Sequence, residues 1–231
     1  MITSADNERL KLVRKLRDRR WRDKLGLFVA EGEDLVDAAR AAGVEPVELL
    51  VAGESVEASL LAGVATLAHP PRVVGVFRRD DLPRGVRPAT LALWHVADPG
   101  NVGTLLRSAD AFGAGVALSP GCADPTGPKA LRASMGAIFR VPLADFDEPP
   151  GPRIGLVPRG GTALPEVDLS GEVVLVLGPE REGLPDGVLE RCDVLATIPQ
   201  PGGAESLNVA MAGTVALYEL SRWRARHSSM C

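Results

Sequence analysis

The chain is poor in the residues that would tie it to metal or disulfide chemistry. Its three cysteines, Cys122, Cys192 and Cys231, stand far apart in 231 residues and form no CxxC pair. Neither a disulfide framework nor a zinc site is expected from such spacing. The three histidines, His69, His95 and His227, are equally scattered, so none has a partner that would mark it as catalytic, and no metal is expected. No apolar run approaches the roughly eighteen residues a membrane helix needs. The N-terminus, MITSADNERLK, turns charged at once and offers no signal-peptide stretch. A soluble, cytoplasmic protein without a membrane partner is the expectation. Internal repeats and low-complexity tracts are also missing.

What is present is enough apolar material for a sizeable core: 45% of the residues are hydrophobic and the formal net charge is only -4. One or two domains fit that length. The charge is unevenly spread. From Arg9 to Lys24 nine basic residues face only Asp18 and Asp23, against the sign of the whole chain. Leu10, Val13 and Leu16 recur at near-helical spacing, with Ser4 as the expected N-cap and Asp6 and Glu8 as an acidic first turn. Two readings stand side by side: a contact for a polyanion, or the solvated face of an ordinary amphipathic helix.

Further on, strands are expected over 26–32, 47–52 and 73–77, with helices over 33–42 and about 56–61. The stretch 78–88, RRDDLPRGVRP, is charged, carries two prolines and has no apolar period, as a linker does. The boundary is placed near residue 85, giving domains 1–85 and 86–231. Beyond it strands are expected over 90–96, 115–118, 137–141, 153–157, 173–177 and 194–198. A helix is expected over 101–112 and a long one from 206 to about 224. Apolar strands separated by crossover helices imply a parallel sheet covered on both faces. The fold class is therefore α/β.

The polar residues Glu180, Ser206 and Asn208 fall on loops or a helix start just past such strands, where α/β proteins hold ligands. Ser206 alone also fits a simple N-cap. The glycines of DPGNVGTLLRSADAFGAG (98–115) stand at a strand-to-helix turn, yet the GxGxxG of a dinucleotide site is missing. The helix start near Asn101 still presents free N–H groups to an anion. Arg107, among Leu105, Leu106 and Ala109, reads equally as a surface residue or as an anion contact.

Three segments then resemble, in order and spacing, the motifs of the SpoU/TrmH branch of the SPOUT RNA methyltransferases: DPGNVGTLLRSADAFGAG, LGPEREGLP (177–185) and IPQPGGAESLNVA (198–210). DPTGPKALRASMGAIFRVPL (124–143) looks like the segment those enzymes carry between the first two motifs. The resemblance covers about residues 90–220. FVAEGEDLV (28–36) is similar to part of the ribosomal-protein-like RNA-binding domain found at the N-terminus of many members.

This resemblance implies an S-adenosylmethionine-dependent RNA ribose 2′-O-methyltransferase, a homodimer with a deep C-terminal trefoil knot. It also implies the residue roles. Asn101, Arg107, Glu180, Ser206 and Asn208 would be catalytic, and Leu177, Gly178, Gly183, Ile198 and Leu207 would meet the cofactor. Arg14, Arg17 and Arg20 would bind structured RNA, with ribosomal RNA favoured over transfer RNA because relatives acting on the latter more often lack the N-terminal domain. A guanidinium stays protonated, so Arg107 is assigned to the neighbouring phosphate and the developing alkoxide, while the proton acceptor is left open. Two features depart from the family. ADFDEPPGPR (144–153) replaces a helical crossover and is expected to leave one sheet face thinly covered, and Pro179 removes a backbone N–H from the second motif. A non-catalytic RNA-binding protein on the same fold and a base-methylating SPOUT enzyme are the rival readings.

Overall fold

Two sheets of opposite character set the architecture. The structure, a computed structural model, describes residues 1–67, 69–202 and 206–227; Cys231 lies outside them. Strands β1 (Leu27–Glu31), β2 (Glu48–Val51) and β3 (Val73–Arg78) form the first sheet, antiparallel with β3 in the middle. Around it lie α1 (Glu8–Lys15), α2 (Arg19–Leu25), α3 (Glu33–Ala41) and α4 (Ala58–Val64). The basic stretch is thus two helices. Asn7, not the expected Ser4, caps the first by accepting from the Arg9 N–H at 3.0 Å. Asp18 caps the second through the Arg20 N–H at 2.9 Å, a local bond that competes with continuation of the first helix. Leu10, Val13 and Leu16 are buried, as their spacing requires.

The second sheet has β4 (Ala89–Leu93), β5 (Gly115–Leu118), β6 (Leu143–Asp145), β7 (Arg153–Leu156), β8 (Thr162–Ala163), β9 (Val173–Leu177) and β10 (Val194–Thr197). Its spatial order is β6-β5-β4-β9-β7-β10-β8 and every pairing is parallel. One face carries α5 (Pro99–Ala111), α6 (Pro128–Ser134) and α8 (Val209–His227). The fold class is α/β, a small antiparallel domain followed by a parallel-sheet domain. On the other face 144–153 forms no helix. Phe146, Leu184 of the 178–185 loop and Val188 of α7 (Asp186–Leu189) cover a layer of small side chains, Ala92, Ala117 and Ala144.

Several expected elements differ. Residues 137–141 are not a strand: Met135 and Gly136 both take left-handed φ, 49° and 81°, and the chain enters a short turn of 3-10 helix at Ala137–Phe139. The apolar run is buried for another reason, since Phe139 packs its ring, tilted, 6.0 Å from Phe28 and 5.4 Å from Phe77 of the first sheet. The strand expected to reach residue 96 stops at Leu93, because His95 turns left-handed at φ 49°. Gly103 decides how α6 meets α5: a Cβ there would sit 2.3 Å from the Ala130 carbonyl oxygen, so only glycine allows that approach.

The two sheets share one core, which runs from Phe28, Leu35 and Phe77 into Leu91, Leu105 and Leu175. A buried ionic clamp reinforces the junction. Asp124 accepts from Arg22 of α2 and from Arg79 in the 78–88 stretch, each at 2.7 Å, while its other oxygen takes the Thr126 N–H and hydroxyl at 2.9 and 2.6 Å. Burial pushes the Asp124 carboxyl up, but the Thr126 hydroxyl, Arg79 and Arg22 outweigh it and leave it below the usual range. The Arg22 and Asp124 side chains are only 5% and 8% exposed. Removing the carboxylate strands a buried guanidinium, so Asp124→Ala is expected to lose on the order of 3–5 kcal/mol of stability in urea denaturation. A group with a depressed folded pKa stabilises above its unfolded value and loses that contribution as pH falls through the folded one. The wild type should therefore weaken below about pH 4, and the variant should show a shallower acid slope.

Candidate functional site

Strands β4 and β9 end side by side, with Leu93 opposite Leu177. They are neighbours in the sheet and distant in sequence, so the loops beyond them open a crevice at the carboxyl edge. After β4 the chain turns through Trp94 and His95 to Asp98, whose carboxylate caps α5 by accepting the Asn101 N–H at 3.0 Å. Pro99 stands at the first helical position, where its missing N–H costs nothing. Asp98 also holds Lys129 at 2.7 Å; that ammonium, with the first backbone N–H groups of α5, keeps its carboxyl below the usual range.

Three of the expected residues meet on one atom. Oε1 of Glu180 accepts from Nδ2 of Asn101 and, at 3.0 Å, from Nδ2 of Asn208. Asn208 Nδ2 also lies 3.2 Å from Oδ1 of Asn101. The other end of Asn208 is spoken for: its Oδ1 accepts from the Ala210 and Met211 N–H groups at 2.9 and 3.3 Å. The cap of α8 is therefore Asn208, not Ser206, and α8 begins at Val209. These bonds join the starts of α5 and α8 to the loop after β9.

Two cavities adjoin this cluster. The first, about 350 Å³, is walled by the loops after β7, β9 and β10, and Leu177, Gly178, Gly183, Ile198 and Leu207 all line it. Its size lies within the range of small-molecule sites. Gly178 crosses so near Gly183 that a Cβ on it would come 2.7 Å from that residue's backbone. The second cavity, about 670 Å³ and more open, includes His95, Asp98, Gly121 and Asn208. Pro179, Glu180, Arg181, Glu182, Ser206 and Leu207 line both.

Arg107 is not part of the cluster. Six residues after Asn101 on a helix is about 9 Å along the axis and a third of a turn off its face. Its side chain is exposed, lines neither cavity, and makes no hydrogen bond or ion pair among the described residues. Arg14, Arg17 and Arg20 are exposed on the other domain. Arg14 and Arg17 donate to the Ala5 and Ala65 carbonyls, at 2.8 and 2.9 Å. Two lining residues escaped the sequence reading. His95 stacks on Trp94 at 4.7 Å and is backed by Gly121. Gln200 lines the first cavity with its Oε1 buried. Among the described residues no cluster of three metal-ligating side chains occurs, and no helix is long and apolar enough to cross a membrane.

Comparison with known proteins agrees with this layout. Residues 88–218 match the SpoU rRNA Methylase family and residues 7–76 match the MRM3-like substrate binding domain. The chain is 30% identical to the 23S rRNA (guanosine(2553)-2′-O)-methyltransferase RlmP of Bacillus subtilis (strain 168), over 95% of this chain and 98% of the relative. An AdoMet-bound rRNA methyltransferase from Sinorhizobium meliloti superposes with a TM-score of 0.85 at 31% identity, covering 96% of this chain and 97% of that one. The SpoU methyltransferase AviRb of Streptomyces viridochromogenes, in complex with AdoMet, gives 0.83 at 27% identity over 95% and 98%.

The cluster makes a specific demand on Asn208. In Asn208→Asp the cap of α8 survives, but the amide that faces Glu180 becomes a second carboxylate. Like charges at that distance raise one of the two pKa values. The melting temperature is expected to fall clearly at about pH 8 and much less at about pH 5, where the pair shares a proton. Equal losses at both pH values would mean that the contact with Glu180 contributes nothing.

Proposed function

From the premise that the chain belongs to the SpoU rRNA methylase family, we propose that it methylates ribosomal RNA in the cytoplasm as a homodimer, residues 1–85 holding the RNA and residues 86–231 performing the transfer. The chain is an S-adenosylmethionine-dependent RNA 2′-O-ribose methyltransferase. One observation carries the reading: a ligand-sized pocket and a wide, open cavity share the wall formed by 179–182, Ser206 and Leu207. The cofactor supplies an activated methyl group on a sulfonium. The enzyme has to keep that methyl group and a ribose oxygen in line across the shared wall.

The pocket fits the cofactor. Apolar side chains, Leu156, Leu177, Leu184 and Ile198, alternate with the backbone of 178–183. The trefoil knot implied by the family resemblance would bring three loops of one sheet onto a single ligand. Asn101, Glu180 and Asn208 then serve as the rigid frame of the wall, bonded to one another through Glu180 Oε1 and the two amides. Ser206, which takes no part in these bonds, lines both cavities and is the residue we assign to contact RNA.

Arg107 acts from outside this frame. It projects from the exposed side of α5, and α8, packed beside it, exposes Met211, Val215 and Tyr218 at 62%, 40% and 53%. These three follow helical spacing, so they form one apolar stripe that a second copy would cover. We place Arg107 at the edge of that junction, where its fork of donors holds an RNA phosphate and steadies negative charge on the ribose oxygen. The 2′-hydroxyl itself distinguishes RNA from DNA.

Two outcomes check the proposal. Arg107→Ala should leave cofactor binding by calorimetry nearly intact while abolishing transfer, and Arg107→Lys should rescue little, since an ammonium lacks the fork. Ribose-methylation mapping of cells lacking the gene should show loss at one or a few ribosomal RNA sites, unrestored by Arg107→Ala. Loss confined to transfer RNA would overturn the choice of substrate.

A further outcome concerns the basic helices. Among the described residues Arg20 holds no carbonyl, unlike Arg14 and Arg17, so its charge can be reversed with least harm to the fold. Arg20→Glu should weaken RNA binding and flatten its salt dependence, because fewer counterions are released. Cofactor affinity should not change. An unaltered salt slope would return these helices to a solvated face.

A further inference from the structure

His95 is held in place by more devices than an exposed loop residue needs. Its backbone takes φ 49°, a left-handed conformation uncommon outside glycine, and its N–H donates to Ser119 Oγ at 2.9 Å. The ring stacks on Trp94 with the two planes 6° apart, and Trp94 meets Phe146 edge-on at 5.2 Å. A Cβ on Gly121 would lie 3.1, 3.2 and 3.3 Å from Cδ2, Nε2 and Cγ of the imidazole. Such nearly equal distances to three adjacent ring atoms arise over a face of the ring and not at its edge, so Gly121 supports that face. Backbone strain fixed by its surroundings gathers at functional sites. His95 nonetheless stays exposed and lines the open cavity, and neither ring nitrogen has a hydrogen-bond partner among the described residues.

We infer that His95 is the proton acceptor for the ribose 2′-hydroxyl. The inference rests on the methyl-transfer reading above and deepens it by filling the role left open there. The residues that line both cavities, 179–182, Ser206 and Leu207, stand on the side from which the methyl group comes, whereas His95, Ala97, Asp98, Gly121 and Asn208 line the open cavity alone. A base on that second side reaches the hydroxyl without blocking in-line transfer. The other titratable groups fit the task less well. Asp98 is taken up by the cap of α5 and by Lys129, which with backbone N–H groups keeps its carboxyl below the usual range. Glu180 gives its Oε1 to two amides, Arg181 stays protonated, and Glu182 is a carboxylate, a weaker class of base than imidazole. Behind the ring, Cys122 and Asp124 are bonded elsewhere. An imidazole changes charge near neutral pH, where a general base is most effective. In the step, the oxygen–methyl bond forms as the carbon–sulfur bond breaks and leaves its electron pair on sulfur. The hydroxyl proton passes to an imidazole nitrogen of His95, and the exposed ring then returns it to water.

The test is single-turnover transfer from tritiated S-adenosylmethionine, with the full chain in excess over total RNA from cells lacking the gene, between about pH 5 and about pH 8. The wild-type rate should rise with pH and then level off. His95→Asn keeps a side chain that tolerates the left-handed backbone but takes no proton. At the plateau it should be slower by about 100-fold or more, and the acid limb should be gone. Its affinity for S-adenosylhomocysteine by calorimetry and for the RNA by filter binding should be nearly unchanged, which also confirms the fold. If His95→Asn keeps the wild-type rate or the acid limb, the inference is overturned and another group takes the proton. It is equally overturned if RNA affinity falls and saturating RNA restores the rate, since His95 is then only a contact. If the wild type transfers no methyl group to any RNA, the methyl-transfer reading itself fails, which is a separate result.

Discussion

One carboxylate oxygen, Oε1 of Glu180, fastens the site together. Two amide groups, from residues 107 positions apart in the chain, converge on it. Each belongs to a helix start, so the bond fixes where α5 and α8 begin relative to the loop after β9. An ionised acceptor strengthens both bonds, and the α5–α8 contact is repeated farther along by the Ser108 and Thr214 hydroxyls at 2.6 Å. The three motifs are thereby held as one rigid wall. Polar groups that bond to one another give this wall its stiffness.

The junction between the domains follows the same economy of polar groups. Asp124 gathers Arg22 from α2 and Arg79 from the 78–88 stretch, and α2 also reaches the 119–124 loop through Arg19, which donates to the Cys122 carbonyl at 3.3 Å. Gly121 in that loop backs the His95 ring at the edge of the open cavity. The basic helices are therefore not a separate appendage. They abut the loop that lines the far side of the open cavity, so on the proposed function an RNA lying on α2 would be oriented toward the wall it shares with the first cavity.

Much of this was legible in the chain. The apolar runs at 73–77, 115–118 and 173–177 became strands because near-continuous burial is what a covered sheet demands, and 194–197 did so although only Ala196 of it is buried. Where the reading went wrong, tertiary context had overridden pattern. Residues 137–141 are apolar enough for a strand, yet two left-handed residues precede them and the aromatic cluster of the other domain claims Phe139. β8, two residues long, carries too short a pattern to register. In the site, the types and order of Asn101, Glu180 and Asn208 were visible as motifs, but their meeting depends on β4 and β9 being neighbours, which no local signal reveals. The distance of Arg107 from that meeting was within reach of helical geometry alone. The burial of Gln200 was not, because a glutamine in a loop after a strand reads as solvated until the loops around it are known.

The placement of Arg107 bears on how the reaction is organised. A guanidinium inside the Glu180 cluster would have been neutralised by that carboxylate and lost to the substrate. Held instead on the exposed side of α5, it stands clear of that carboxylate, as the proposed contact with an RNA phosphate requires. Such a charge is weak in bulk water and becomes strong only when its surroundings are dried. The apolar stripe of Met211, Val215 and Tyr218 on the adjoining helix would supply that drying once a second copy and the RNA close over it. On the proposed function, methyl transfer would await the one arrangement in which phosphate, ribose and wall are all in place, and free cofactor in the pocket would not meet a competent nucleophile beforehand.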